Sequence, residues 1–200
     1  MANNFDKNWT TNNNNYPLND KEVERYISVK PSANQLALVD KPFYTFMHFG
    51  MNTATDREWG AGVEKATDFT IKSIDAKQWV ETAKSAGATG VILTCKHHDG
   101  FCLWPSEYTS FCVKNSSYKG DIVKEVSDEC HKQGMDFGVY LSPWDMHDER
   151  YGTDAYNDYF CNQLTELLTN YGEIFEVWFD GAKGSNAKKF EYDWQRYYDL

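Results

Sequence analysis

Three times along the chain an amphipathic stretch of helical period runs into a glycine and then into a short apolar run. In the first copy Trp79, Val80, Ala83 and Ala86 share one face of a helix expected over about 75–86, and Gly87 precedes a strand over about 89–96. In the second, Ile122, Val123, Val126 and Cys130 point inward from a helix over about 121–133, Gly134 ends it, and a strand follows over about 136–142. In the third, Tyr156, Phe160, Leu164, Leu167 and Leu168 line a helix over about 153–171, before Gly172 and a strand over about 173–180. A glycine in that place supplies the left-handed cap that ends a helix. An earlier apolar run, Phe43 to Met47, gives a first strand.

Crossover helices force parallel pairing with right-handed connections. The fold class is therefore α/β, either a (β/α)8 TIM-like barrel of which about four βα units are present, or an open doubly wound sheet. No G-x-G-x-x-G loop follows the first strand, which favours the barrel. Residues 1–40 read as a polar N-terminal arm and lead-in, Asn-rich before Pro17, and residues 41–200 as the N-terminal half of a catalytic barrel. An aromatic-rich helix expected from Lys188 runs to Leu200 without a stop signal, as if the domain continued.

Parallel strands bring their C-terminal ends to one rim, where α/β enzymes carry their chemistry. Each run here ends in residues of catalytic type: His48; Lys96-His97-His98-Asp99; Ser142-Pro143-Trp144-Asp145; and Asp180 before Gly181. Two histidines within a strand would face opposite ways, but at a strand terminus both rings can reach one pocket. Glu176 should share the face of Asp180 but lie roughly 13 Å deeper, too far for the ~5 Å carboxylate spacing of retaining glycoside hydrolysis. An interior structural pair suits it better. In the loop after the first strand, Glu58 beside Trp59 offers a hydroxyl acceptor next to a stacking ring.

Other chemistries fit less well. The formal charge of -10 disfavours nucleic acid and anionic lipid as partners. No apolar stretch approaches the roughly 20 residues of a membrane span. The five cysteines form no C-x-x-C pair, and Cys95, Cys130 and Cys161 fall inside apolar elements as buried structural thiols. Histidine and aspartate also ligate metals, but the chain contains no H-x-H pair.

Five segments, taken in order, carry a family resemblance: Phe46-Met47-His48-Phe49-Gly50-Met51-Asn52, Asp56-Arg57-Glu58-Trp59-Gly60, Lys96-His97-His98-Asp99-Gly100-Phe101, Tyr140-Leu141-Ser142-Pro143-Trp144-Asp145 and Val177-Trp178-Phe179-Asp180-Gly181. Together they resemble the retaining α-L-fucosidases of glycoside hydrolase family 29, over about residues 41–185. The resemblance implies an exo-acting hydrolase of terminal α-L-fucose on fucosylated glycans, with Asp180 as nucleophile and no metal or organic cofactor. It further implies that His48, Glu58, Trp59, His97, His98, Tyr140 and Trp144 bind the sugar's hydroxyls and apolar face. The Phe-Gly-Met-Asn and Arg-Glu-Trp-Gly wording is more similar to the subgroup acting on α-1,3/1,4-linked fucose. Met146 departs from the basic residue often found after Trp-Asp in the family. The general acid is expected on a glutamate beyond Leu200. A non-catalytic fucose-binding protein and a metal-dependent barrel hydrolase are the alternatives.

Overall fold

Four strands form one parallel sheet in the order β1 (Tyr44–Met47), β2 (Gly90–Lys96), β3 (Asp136–Leu141) and β4 (Val177–Trp178). The computed structural model describes residues 19–41, 43–187 and 189–200. The Asn-rich stretch at the start lies outside them. The segment up to Asp40 is a unit separate from Lys41–Leu200. Its described residues hold two short helices, α1 (Asp20–Ile27) and α2 (Ala33–Val39), neither with a buried residue. Capping boxes start both: Asn19 with Glu22, and Ser32 with Gln35.

In the larger unit, α3 (Met51–Thr55) follows β1 directly. Helices α4 (Ala76–Ser85), α5 (Ile122–Lys132) and α6 (Asp154–Asn170) precede β2, β3 and β4. Asp75 and Asp121 cap α4 and α5 by accepting main-chain N–H bonds from Gln78 and Lys124. Gly87, Gly134 and Gly172 end the three helices at φ of 89°, 68° and 78°, a region other residues enter at a cost. The helix–glycine–strand reading holds at all three places. The inward faces hold as well, with three adjustments: Trp79 and Leu168 are half-buried, and Ala86 is exposed because α4 ends at Ser85.

Every residue of β2 is buried, as helices on one face and the barrel side on the other require. Val91, Leu93 and Cys95 of β2, with Phe137, Val139 and Leu141 of β3, pack against Val80, Val123, Val126 and Phe160 of the helices. Each such buried aliphatic or aromatic side chain contributes about 1.5–3 kcal/mol. The other face is tight. A Cβ on Gly138 would stand 2.9 Å from the Phe175 ring and 3.0 Å from Ile92, so only glycine fits there. All five cysteines are buried free thiols.

Two elements are shorter than the sequence pattern predicts. β4 comprises Val177–Trp178 rather than 173–180, because only these residues register with Val139 and Tyr140. The apolar run before it is used otherwise: Phe175 packs its ring over Gly138 and against Tyr44. The final helix, α7, spans Trp194–Tyr198 instead of starting at Lys188. Between β4 and α7 the aromatic residues bury themselves without helical backbone, Phe190 and Tyr192 packing on Tyr151.

Candidate active site

A register irregularity between Thr94 and Lys96 interrupts the alternation of β2 just before its end. Such irregularities redirect side chains. Strict alternation would set Lys96 on the face of Ile92 and Thr94. Instead its Nζ reaches Asp145 Oδ2 at 3.0 Å, Gln163 Oε1 at 2.9 Å and the Tyr156 hydroxyl at 3.4 Å. Asp145 is closed off in turn, its Oδ1 accepting the main-chain N–H groups of His147 and Asp148. With both partners fully buried, this pair anchors the loop after β3 under the rim.

Beyond Lys96 the chain turns, and His97 and His98 stand together with ring centroids 4.2 Å apart. His48, at the end of β1, lies 5.3 Å from His97, and Tyr140 of β3 stacks on His97 at 5.7 Å. Trp144 packs on His98 at 4.7 Å. Trp59, half-exposed on the loop after α3, meets His98 and Trp144 edge-on at 5.8 and 6.1 Å. Phe46 supports the group from below, touching Tyr140, His48 and Trp178.

Asp180 closes the ring from the end of β4. Its Oδ2 accepts a hydrogen bond from the Tyr140 hydroxyl at 3.0 Å, its Oδ1 accepts the Ala182 N–H at 2.8 Å, and Oδ2 stands 3.9 Å from His98 Nε2. Burial pushes this carboxyl up, but the Ala182 N–H, the Tyr140 hydroxyl and the charge that the two histidine rings carry once protonated in acid together hold it below the usual carboxylate range. It is ionised at neutral pH and 32 % exposed, so a reacting centre can approach it. Burial, then the His98 and His48 rings, bring His97 down to about 4. Burial also lowers His98, against the opposing pull of Asp180. Both rings are neutral at pH 7. Burial first, then the Asp180 charge, pushes the Tyr140 phenol up, so it remains a donor.

The structure thus brings His48, Trp59, His97, His98, Tyr140, Trp144 and Asp180 to one rim. Glu58 is different: it is exposed, and its described contact is through the main-chain carbonyl, which accepts from Asn52 Nδ2 at 3.2 Å. Glu176 is half-buried, and among the described residues it has no ion-pair partner, contrary to the interior pair expected for it; burial alone pushes its carboxyl up. Met146 ties the rim together through its backbone, its N–H donating to the His98 carbonyl. Sequence reasoning missed the work of Lys96 and Asp145, although a lysine inside an apolar run is itself a signal that a buried anion lies nearby. It also gave no role to Ser142. A groove of about 370 Å³ runs beside β1 from Met47 and His48 to Trp79, but Asp180 and the histidine pair are not in its wall. Among the described residues, no three His, Cys, Asp or Glu side chains gather as a metal-binding group.

A parallel β/α layer whose strand ends surround an ionised aspartate with tryptophan and histidine rings has the architecture of a barrel glycoside hydrolase, carried here as part of a TIM-type catalytic domain. The family model described as Alpha-L-fucosidase matches residues 39–199, and the chain belongs to that family. Alpha-L-fucosidase 1 of Arabidopsis thaliana is 49% identical over 174 residues, covering 85% of this chain and 34% of that protein. Plasma alpha-L-fucosidase of Homo sapiens is 32% identical over 128 residues, 58% of this chain and 27% of that one. Among solved structures, a glycoside hydrolase 29 fucosidase of Ruminococcus gnavus in complex with fucose superposes with a TM-score of 0.78 at 41% identity, over 86% of this chain and 39% of that chain. A glycoside hydrolase 29 family member from an unknown rumen bacterium gives a TM-score of 0.78 at 48% identity, over 84% and 33%. The chain therefore spans about a third of the length of these relatives.

Proposed function

We propose that the protein carrying this chain is an exo-acting α-L-fucosidase that releases terminal fucose from fucosylated oligosaccharides or glycoconjugates with retention of configuration. Asp180 is the nucleophile. Its carboxylate attacks the anomeric carbon while the aglycone oxygen leaves with a proton from a general acid; water then hydrolyses the glycosyl ester. What supports this reading most is the setting of Asp180: ionised, accessible, steadied by Tyr140 and Ala182, and surrounded by rings.

The other roles follow from chemistry and position. Trp59 and Trp144 offer flat faces to the apolar side of the sugar. His48, His97, His98 and Tyr140 present ring nitrogens and a hydroxyl to its hydroxyl groups, and Glu58 joins them from its exposed loop. The general acid is a glutamate on a part of the relatives' length that this chain does not span. The preferred linkage is α-1,3/1,4, on the wording of the two segments after β1.

Asp180→Asn in the complete protein should lower turnover of an aryl α-L-fucoside by on the order of 10³-fold or more while fucose still binds. Turnover within tenfold of the parent would remove Asp180 as nucleophile. In the parent, NMR should show the α-anomer of fucose as the first product, and a β-anomer would exclude retention.

A further inference from the structure

Ser142, the first residue after β3, is wholly buried beneath the rim and makes two short contacts. Its Oγ lies 2.6 Å from the Trp144 main-chain carbonyl and 2.7 Å from His98 Nδ1. A carbonyl carries no proton, so the hydroxyl proton must lie on the line to Trp144. A serine has only one such proton. Its contact with His98 is therefore one in which the ring donates, and Nδ1 carries the hydrogen.

The consequence appears on the other side of the ring. A neutral imidazole with its hydrogen on Nδ1 has a bare lone pair on Nε2. That nitrogen faces Asp180 Oδ2 at 3.9 Å, which puts two acceptors opposite each other with no hydrogen between them. What fits there is a donor, and the donors a sugar offers are its hydroxyl protons. We infer that Ser142 is a positioning residue: it fixes His98 in the Nδ1–H tautomer, so that Nε2 accepts a hydrogen bond from a substrate hydroxyl and does not donate to Asp180.

This inference rests on the fucoside reading for the identity of the hydroxyl, but the tautomer itself does not. Without the Ser142 oxygen, His98 is free to carry its hydrogen on Nε2 and donate it to Asp180. Two losses follow. The substrate hydroxyl meets a donor where it needs an acceptor, and the carboxylate that must attack carbon is occupied by a hydrogen bond. Tautomer errors in catalytic histidines are costly even when the ring stays in place.

The test uses the complete protein with 15N-labelled histidine, the His98 signals being assigned by their loss in His98→Asn. The parent should show a protonated Nδ1 and an unprotonated Nε2 at neutral pH; the reverse pattern overturns the inference without any variant. Ser142→Ala should invert or mix the two signals and lower kcat/KM for an aryl α-L-fucoside by roughly 10- to 100-fold, and Ser142→Thr, which keeps a hydroxyl, should restore both in part. Unchanged signals with kcat/KM within twofold in Ser142→Ala would also overturn it. Among the monodeoxy fucosides, one should be slow with the parent yet lose little more with Ser142→Ala, since both changes remove the same hydrogen bond. If the tautomer is as stated but the parent releases no fucose, the fucosidase reading fails and the positioning role stands.

Discussion

Two aspartates stand at the ends of neighbouring strands, and the protein treats them in opposite ways. Asp145, four residues past β3, is buried to 1% exposure against the Lys96 ammonium, and its other oxygen takes two main-chain N–H bonds. Asp180, two residues past β4, has a phenol, one N–H and two neutral rings for company, and a third of it faces solvent. Full compensation in a buried site immobilises a charge and makes its partner indispensable. Partial compensation keeps a carboxylate ionised but leaves lone pairs free. The type of residue is the same, and the shell around it decides whether it is locked into the loop or keeps lone pairs open to solvent.

The largest expected effect breaks the Asp145 side of that contrast. Lys96→Met leaves a buried carboxylate without its cation and should lower the unfolding free energy by about 3–5 kcal/mol. Asp180→Asn, at a half-open site, should change it by about 1 kcal/mol or less. Urea denaturation of the two variants checks both values. Similar losses would mean that Asp180 is also a structural charge, and the distinction would fail.

A smaller effect sharpens the Asp180 side. Tyr140→Phe removes one hydrogen bond to the carboxylate and keeps the ring that stacks on His97. The loss of one such bond to a charged group is worth about 1.5–3 kcal/mol, so kcat should fall roughly 10- to 100-fold with little change in stability. An unchanged kcat would mean that the Ala182 N–H suffices to hold Asp180.

How far these shells could be read from the sequence differs between the fold and the site. The helix–glycine–strand units were legible because periodicity and glycine caps are local, and the rim clusters followed because parallel strands end on one side. The bounds of β4 and α7 were not, since an apolar run shows that residues are buried without showing what they are buried against. Phe190 is buried and Phe175 half-buried, and neither belongs to a strand or a helix. In the site, Asp180, the histidines and the tryptophans were visible from strand ends and from resemblance. The Lys96–Asp145 pair and the Ser142 contacts were not, because they depend on a strand irregularity and on loop paths that no local pattern encodes.

The smallest effect concerns a third aspartate, which has neither shell. Asp99 is 1% exposed; its Oδ1 accepts the Phe101 N–H at 2.8 Å, and among the described residues its Oδ2 has no hydrogen-bond partner. Burial, with the Asp145 and Glu64 charges adding to it against that N–H, raises this carboxyl from 3.8 to about 7. Between those values the folded protein holds a proton that the unfolded chain has lost, so this group makes stability fall as pH rises through that window. His97 acts in the opposite sense: its folded value of about 4 lies below the ordinary 6.5, so the unfolded chain holds the extra proton and stability rises with pH between the two. From about pH 4 to 6.5 the two trends oppose each other, and above 6.5 only that of Asp99 remains. Asp99→Asn, whose amide keeps the acceptor for Phe101 and carries no charge, should therefore remove a stability decline of under about 1 kcal/mol between pH 6.5 and 8. Below pH 6.5 it should uncover a rise with pH that the parent masks. Urea midpoints across that range for parent and variant decide the matter. Parallel curves would mean that Asp99 is ionised in its buried site, with a compensating partner of its own.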